Sequence, residues 1–166
     1  MDTLKCLFNK IGRELAIKAN LLTCHSLAGP YDCGWASRIK GTNWIFINQG
    51  LYADYLDRYG EIKQESVWLP IDTIEKALFY VLVHEYTHLI DTPKSRTGLT
   101  EDDYFSMLEP LGDRGTVIQC QTKEPSAADR KRQADIHTEE FYTNFRLNVY
   151  LCGKILAEIE KAANNQ

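Results

Sequence analysis

The stretch Leu78-Phe79-Tyr80-Val81-Leu82-Val83-His84-Glu85-Tyr86-Thr87-His88-Leu89-Ile90 governs the reading of this chain. Apolar residues surround a short polar group on both sides, which marks a largely buried helix rather than a surface one. Pro70-Ile71-Asp72 signals its start, with Asp72 as candidate N-cap and Glu75 three residues on in a capping-box-like arrangement. Its end is expected at Ile90 or Asp91, because Pro93 biases Thr92 out of the helical region. His84, Glu85 and His88 inside such a helix carry a desolvation cost unless each is satisfied. One solution is a pair of hydrogen-bonded core histidines with Glu85 facing solvent. The other is a metal ion.

Spacing favours the ion. Residues four apart on a helix lie on one face, so His84 and His88 can aim two imidazole nitrogens at one point. Zinc suits such donors, since it takes nitrogen and oxygen ligands in tetrahedral geometry. A catalytic zinc keeps three protein ligands and leaves one position for water. Glu85 follows the first histidine and can approach that water as general base without ligating the ion. The pattern H-E-x-x-H on a helix therefore points to a metallopeptidase.

The third ligand has several candidates. The extended pattern with x-x-G-x-x-H after the second histidine is excluded, because Leu89-Ile90-Asp91-Thr92-Pro93-Lys94 supplies neither Gly nor His in place. Asp91 lies near the same face but about 10 Å along the axis from His84, which suits a ligand-orienting or helix-end role better. Asp135, His137, Glu139 and Glu140 cluster on a helix expected to begin after Ser126, with Asp129 at its third position. The same helix carries Phe141, Phe145, Val149, Cys152, Ile155 and Ile159 as an apolar stripe to about residue 162, with Gly153 as a bend or break.

With Glu140 and Asn144 four apart on that helix, the arrangement resembles the gluzincin branch of metallopeptidases. The resemblance implies Glu140 as third metal ligand beside His84 and His88, with Asn144 as its supporting partner. Phe145 and the strand-like Trp44-Ile45-Phe46-Ile47-Asn48 are also similar to the ImmA/IrrE-type subgroup. Tyr86-Thr87 in place of a small Leu-Gly pair, and Thr143 where Ala is common, depart from that subgroup. Peptide deformylases also use H-E-x-x-H with a cysteine ligand, but their E-G-C-L-S segment is absent and Cys33 reads as a small buried side chain. Tyr86, Tyr104, Tyr142, His137 and Arg146 are the candidates for stabilising an oxyanion.

The remainder of the chain frames this site. Leu4, Leu7, Phe8, Ile11 and Leu15 predict an amphipathic helix over 3–19. Gly41-Thr42-Asn43 reads as a turn before Trp44–Asn48, a run apolar on both faces and suited to a buried strand. Residues 50–59 fit a helix or an irregular tyrosine-rich loop. A short helix is expected from Thr100 to about Leu108, with Glu101-Asp102-Asp103 in its first turn. His25 reads as structural.

With 166 residues, 44% hydrophobic and 25% charged, one domain spanning 1–166 is expected. A net charge of −4 gives no reason to expect nucleic acid or an anionic membrane as partner, and Arg130-Lys131-Arg132 reads as a solvated helix face. Five cysteines without a C-x-x-C pair argue for a reducing compartment, and no signal peptide or membrane span is evident, so the expected location is the cytoplasm. The expectation is an α+β, zincin-like fold. In it a small twisted sheet packs on the active-site helix, and a C-terminal helix brings the last ligand. The activity expected is zinc-dependent hydrolysis of a protein or peptide substrate. The competing expectation is an inactive zincin-fold module with a structural or vestigial metal that binds a protein partner.

Overall fold

The computed structural model describes residues 2–24, 34–59, 62–64, 67–90, 108–110, 116–118, 127, 131, 134–135 and 137–165. In chain order its elements are α1 (Thr3–Glu14), β1 (Asn20–Cys24), β2 (Gly34–Ile39), β3 (Thr42–Asn48), α2 (Gln49–Tyr59), β4 (Ile62–Gln64), β5 (Val67–Ile71), α3 (Ile74–Ile90), β6 (Leu108–Pro110), β7 (Thr116–Ile118), α4 (Glu139–Leu151) and α5 (Gly153–Ala163). This mixture of helix and strand accords with the α+β class. None of the described helices is long and apolar enough to cross a membrane.

The largest sheet has the order β1-β3-β2. Central β3 pairs in parallel with β1 and antiparallel with β2. Its residues Ile45, Phe46, Ile47 and Asn48 are all buried, as expected for a strand covered on both faces. The β2–β3 turn lies at Lys40-Gly41, earlier than the Gly41–Asn43 turn expected. Both residues have positive φ (48° and 78°), as the tightest hairpins require. Residues 50–59, left open between helix and loop, belong to α2.

Helix α3 packs against α1, α2, α4, β2 and β3, which is why apolar residues surround its whole circumference. Only His84 interrupts an otherwise buried run from Ala77 to Leu89. Its cap is Thr73 rather than Asp72: the Thr73 hydroxyl accepts from the Lys76 N–H at 3.3 Å. Asp72 instead pairs with the Lys76 ammonium at 3.0 Å, which holds its carboxyl below the usual range. The helix is described to Ile90, and the expected boundary beyond it, Asp91 to Pro93, lies outside the described residues.

Tyr86 fixes α3 against α1. It is 1% exposed, its hydroxyl donates to the Phe8 carbonyl at 3.2 Å, and its ring stacks on Phe8 at 5.5 Å. A Cβ on Gly12 would lie 2.5 Å from that hydroxyl, so only glycine fits in this turn of α1.

Two helices differ from their expected extents. The helix expected over 3–19 stops at Glu14 because Ala16 enters the left-handed region at φ 56°. The Ile17 N–H then donates to Gly12 O at 2.8 Å and the Ala16 N–H to Arg13 O at 3.2 Å, a pair of bonds that closes the helix end. The helix expected from Ser126 to about 162 is not continuous. Residues 127, 131, 134 and 135 are helical, but His137 lies in a bend, and Thr138 (φ −80°, ψ 169°) caps a new helix through the Phe141 N–H at 3.2 Å. A second interruption, at Cys152, precedes Gly153. Leu108, the expected end of a helix from Thr100, lies in β6 paired with β7. Thr100 to Tyr104, Ser126, Asp129, His25 and Cys33 lie outside the described residues.

Ala16 is exposed, and its side chain is strained at φ 56°. Ala16→Gly is expected to raise unfolding stability by about 1 kcal/mol, read as a higher urea midpoint with an unchanged slope.

Candidate metal centre

The site begins with the i, i+4 geometry of α3, which stacks His84 and His88 on one face. Their Nε2 atoms are 3.2 Å apart. The third member comes from the break before α4. The His137 Nε2 stands 3.0 Å from that of His84 and 3.1 Å from that of His88. Among the described residues these three form a group able to hold a metal ion.

The triangle of nitrogens bears on the choice between core histidines and a metal site. A ring nitrogen carries either a proton or a lone pair, never both. Three Nε2 atoms in mutual contact therefore cannot satisfy one another. At best one N–H faces two acceptors, whose lone pairs are left pointing together. A single cation satisfies all three. Three nitrogens about 2.0–2.1 Å from a tetrahedral ion stand about 3.3 Å apart, and the observed sides fall just short of that. The donor set fits.

Burial and the two neighbouring imidazoles push the His84 pKa well below the ordinary value of 6.5. The ring is therefore neutral at pH 7, the state in which it ligates. Aromatic rings fix the imidazoles. Phe141 stacks on His88 at 4.3 Å and meets His84 edge-on at 4.9 Å, and Phe145 meets His84 at 5.8 Å. Phe141 and Phe145 are buried on α4, so they are also the contact that seats this helix on α3.

A buried polar chain sets the register between the two helices. Asn148 donates to the Thr87 hydroxyl at 3.0 Å, and Thr87 donates to Val83 O at 2.7 Å. This lies one turn beyond Asn144, the amide that the sequence suggested as a supporting residue. Asn144 is half-buried on α4.

The structure brings together His84 and His88, and it places Glu85 in the same helix, 4% exposed and turned toward β2. It does not bring Glu140 to them. Glu140 and Glu139 are exposed in the first turn of α4, outside the histidine group. Asp135 is exposed as well, and Asp91 lies outside the described residues. The physical reason is the cap at Thr138. It starts α4 at Glu139, so His137 stands outside that helix and reaches His84 and His88, while the glutamates after it face solvent. His137 was among the candidates, but a resemblance built on an uninterrupted helix passes over it. Thr138 as an N-cap, followed by Glu139-Glu140, was the available signal.

The oxyanion candidates also separate. Tyr86 is committed to the Phe8 carbonyl, and Arg146 is exposed. Tyr142 remains beside the group, its ring stacked on His137 at 6.1 Å. Tyr104 lies outside the described residues.

Compared with known proteins, the chain matches no family model, no curated protein and no solved structure.

The depressed pKa of His84 sets a pH dependence for the metal-free fold. Below the ordinary imidazole value of 6.5 the unfolded chain takes a proton that the folded chain refuses. Stability is then constant above that pH and falls as pH drops below it, by up to about 1.4 kcal/mol per pH unit for one group. In chelator, the melting temperature is expected to decline from pH 7 to pH 5.5, and to decline less in His84→Gln.

Proposed function

We propose that this chain is a zinc-dependent peptidase of the zincin type, with His84, His88 and His137 as ligands and Glu85 as general base. The observation that carries the reading is the contact triangle of three Nε2 atoms, with a buried glutamate following the first of them on the same helix. An all-nitrogen, three-ligand set suits zinc and leaves a position open. When bound, zinc acidifies water toward a pKa of about 7 and polarises a carbonyl oxygen. Because all three ligands are neutral, they do not offset the charge available for this.

The chain's own residues do the rest. Glu85 accepts the proton released as water attacks and passes it to the departing amine. Phe141 and Phe145 form an apolar wall that holds the imidazoles and keeps bulk water from the ligand side. Among the described residues β2 is an edge strand of the sheet, and it packs on α3 with Gly34 next to the Glu85 carboxylate. An extended peptide laid along β2 would present its backbone to the base, so β-strand addition is the mode of substrate binding that fits. A structural site has no use for a base, and the buried position of Glu85 favours an enzyme over a partner-binding module. The cytoplasm suits the free thiols of Cys6 and Cys152.

Elemental analysis after zinc exposure is expected to give about one ion per chain. Ala substitution of His84, His88 or His137 should weaken uptake by at least about 100-fold, more than loss of a ligand-orienting residue does. Glu85→Gln and Glu140→Ala should keep the ion. Hydrolysis of a peptide library should fall by about 100-fold or more in Glu85→Gln. No uptake by the wild-type chain would overturn the reading. Loss of the ion in Glu140→Ala with retention in His137→Ala would return the third ligand to Glu140.

A further inference from the structure

Gly34 opens β2 in regular antiparallel register opposite Ile47. Its φ lies outside the left-handed region, since Gly41 alone among the described glycines is found there. Any L-residue could adopt this backbone, and glycine inside a strand gives up both backbone entropy and side-chain packing. The reason for glycine must be space. A Cβ here would stand 3.1 Å from Glu85 Oε1, 3.0 Å from the Phe46 carbonyl oxygen and 3.1 Å from Ile47 Cδ1. Of these, the Ile47 methyl can rotate away and the carbonyl is fixed in the sheet. The carboxylate is the group whose position has chemical consequences.

We propose that Gly34 is a positioning residue for Glu85: the missing side chain leaves the space in which the Glu85 carboxylate rests, between β2 and α3. The inference rests on Glu85 being the general base, and it adds that β2 sets where this base stands. The approach is tight on both sides. Glu85 is buried in α3, whose backbone is held by Tyr86 on α1 and by Asn148 on α4. Gly34 is held by pairing with β3. Neither backbone can retreat cheaply, so an added methyl displaces the side chains that can still move, the Ile47 methyl and the Glu85 carboxylate. A shifted base fails even with the metal ligands intact, because proton transfer requires hydrogen-bond distance.

Two measurements test this. The first needs no metal. Melting temperatures of the metal-free wild type, Gly34→Ala, Glu85→Ala and the double variant form a cycle. If the carboxylate occupies the space, the loss caused by Gly34→Ala shrinks by roughly half or more in the Glu85→Ala background. Should Gly34→Ala fail to fold, the double variant is expected to fold. An undiminished loss, or a double variant that also fails, would assign the glycine to the Phe46 carbonyl and overturn the proposal.

The second uses the cobalt-loaded protein and acetohydroxamate, which chelates a metal while giving its proton to a neighbouring carboxylate. Glu85→Gln is expected to raise the dissociation constant about 10- to 100-fold, the value of one charge-assisted hydrogen bond. Gly34→Ala should raise it comparably with cobalt uptake unchanged, and should add little on the Glu85→Gln background. Wild-type affinity in Gly34→Ala, or a full additional loss in the double variant, counts against the proposal. A wild-type chain that takes up no metal would end the peptidase reading, and the stability cycle would then decide the role of Gly34 alone.

Discussion

Five consecutive residues of α3, His84 to His88, all carry polar atoms into the buried stretch of a helix that is mostly apolar from Ala77 to Leu89. Burying such atoms without partners costs several kcal/mol each, so every one of them specifies what must stand opposite. Tyr86 requires the Phe8 carbonyl and the gap at Gly12, and thereby places α1. Thr87 takes Val83 O and the Asn148 amide, and thereby sets the register of α4. His84 and His88 converge with His137. Glu85 lies against Gly34 of β2. This polar segment is thus the set of pegs on which three other elements hang.

This arrangement holds a cluster of buried polar side chains in fixed positions. A base or ligand is useful only if its position is fixed to a fraction of an ångström. Here His84, Glu85 and His88 sit on a helix, and only His137 comes from a bend. Rings from α4 hold the imidazoles, a strand limits the carboxylate, and hydrogen bonds at the positions between them lock the helix carrying both. The apolar wall of Phe141 and Phe145 serves twice, as helix-packing contact and as the surface that desolvates His84 and keeps it neutral.

The C-terminal region shows how one cap changes a site. Read as an unbroken helix, it offers Glu140 as the residue to complete the group. Thr138 breaks it, and the residue before the cap leaves helical geometry. Glu139 and Glu140 then occupy the first turn of α4, where carboxylates favour the positive end of the helix dipole and remain in water. His137, outside the helix, is free of its rotational phase and turns inward. A shift of a few residues along the chain puts a neutral imidazole, rather than a carboxylate, beside His84 and His88.

By itself the sequence determined the helix that bears His84, Glu85 and His88, its burial, the buried strand at Trp44–Asn48 and the mixed α and β composition. All of these follow from local periodicity, caps and spacing over a few residues. Only the tertiary structure decided that His137 joins the group, that Tyr86 is a structural tether, that Asn148 is the amide reaching α3, and that Gly34 faces Glu85. The pairs His84 with His137, Tyr86 with Phe8, and Thr87 with Asn148 are separated by 53, 78 and 61 residues. No periodicity extends that far. Their meeting depends on helix rotation and strand order, which are set by packing the whole core at once and not by any one segment.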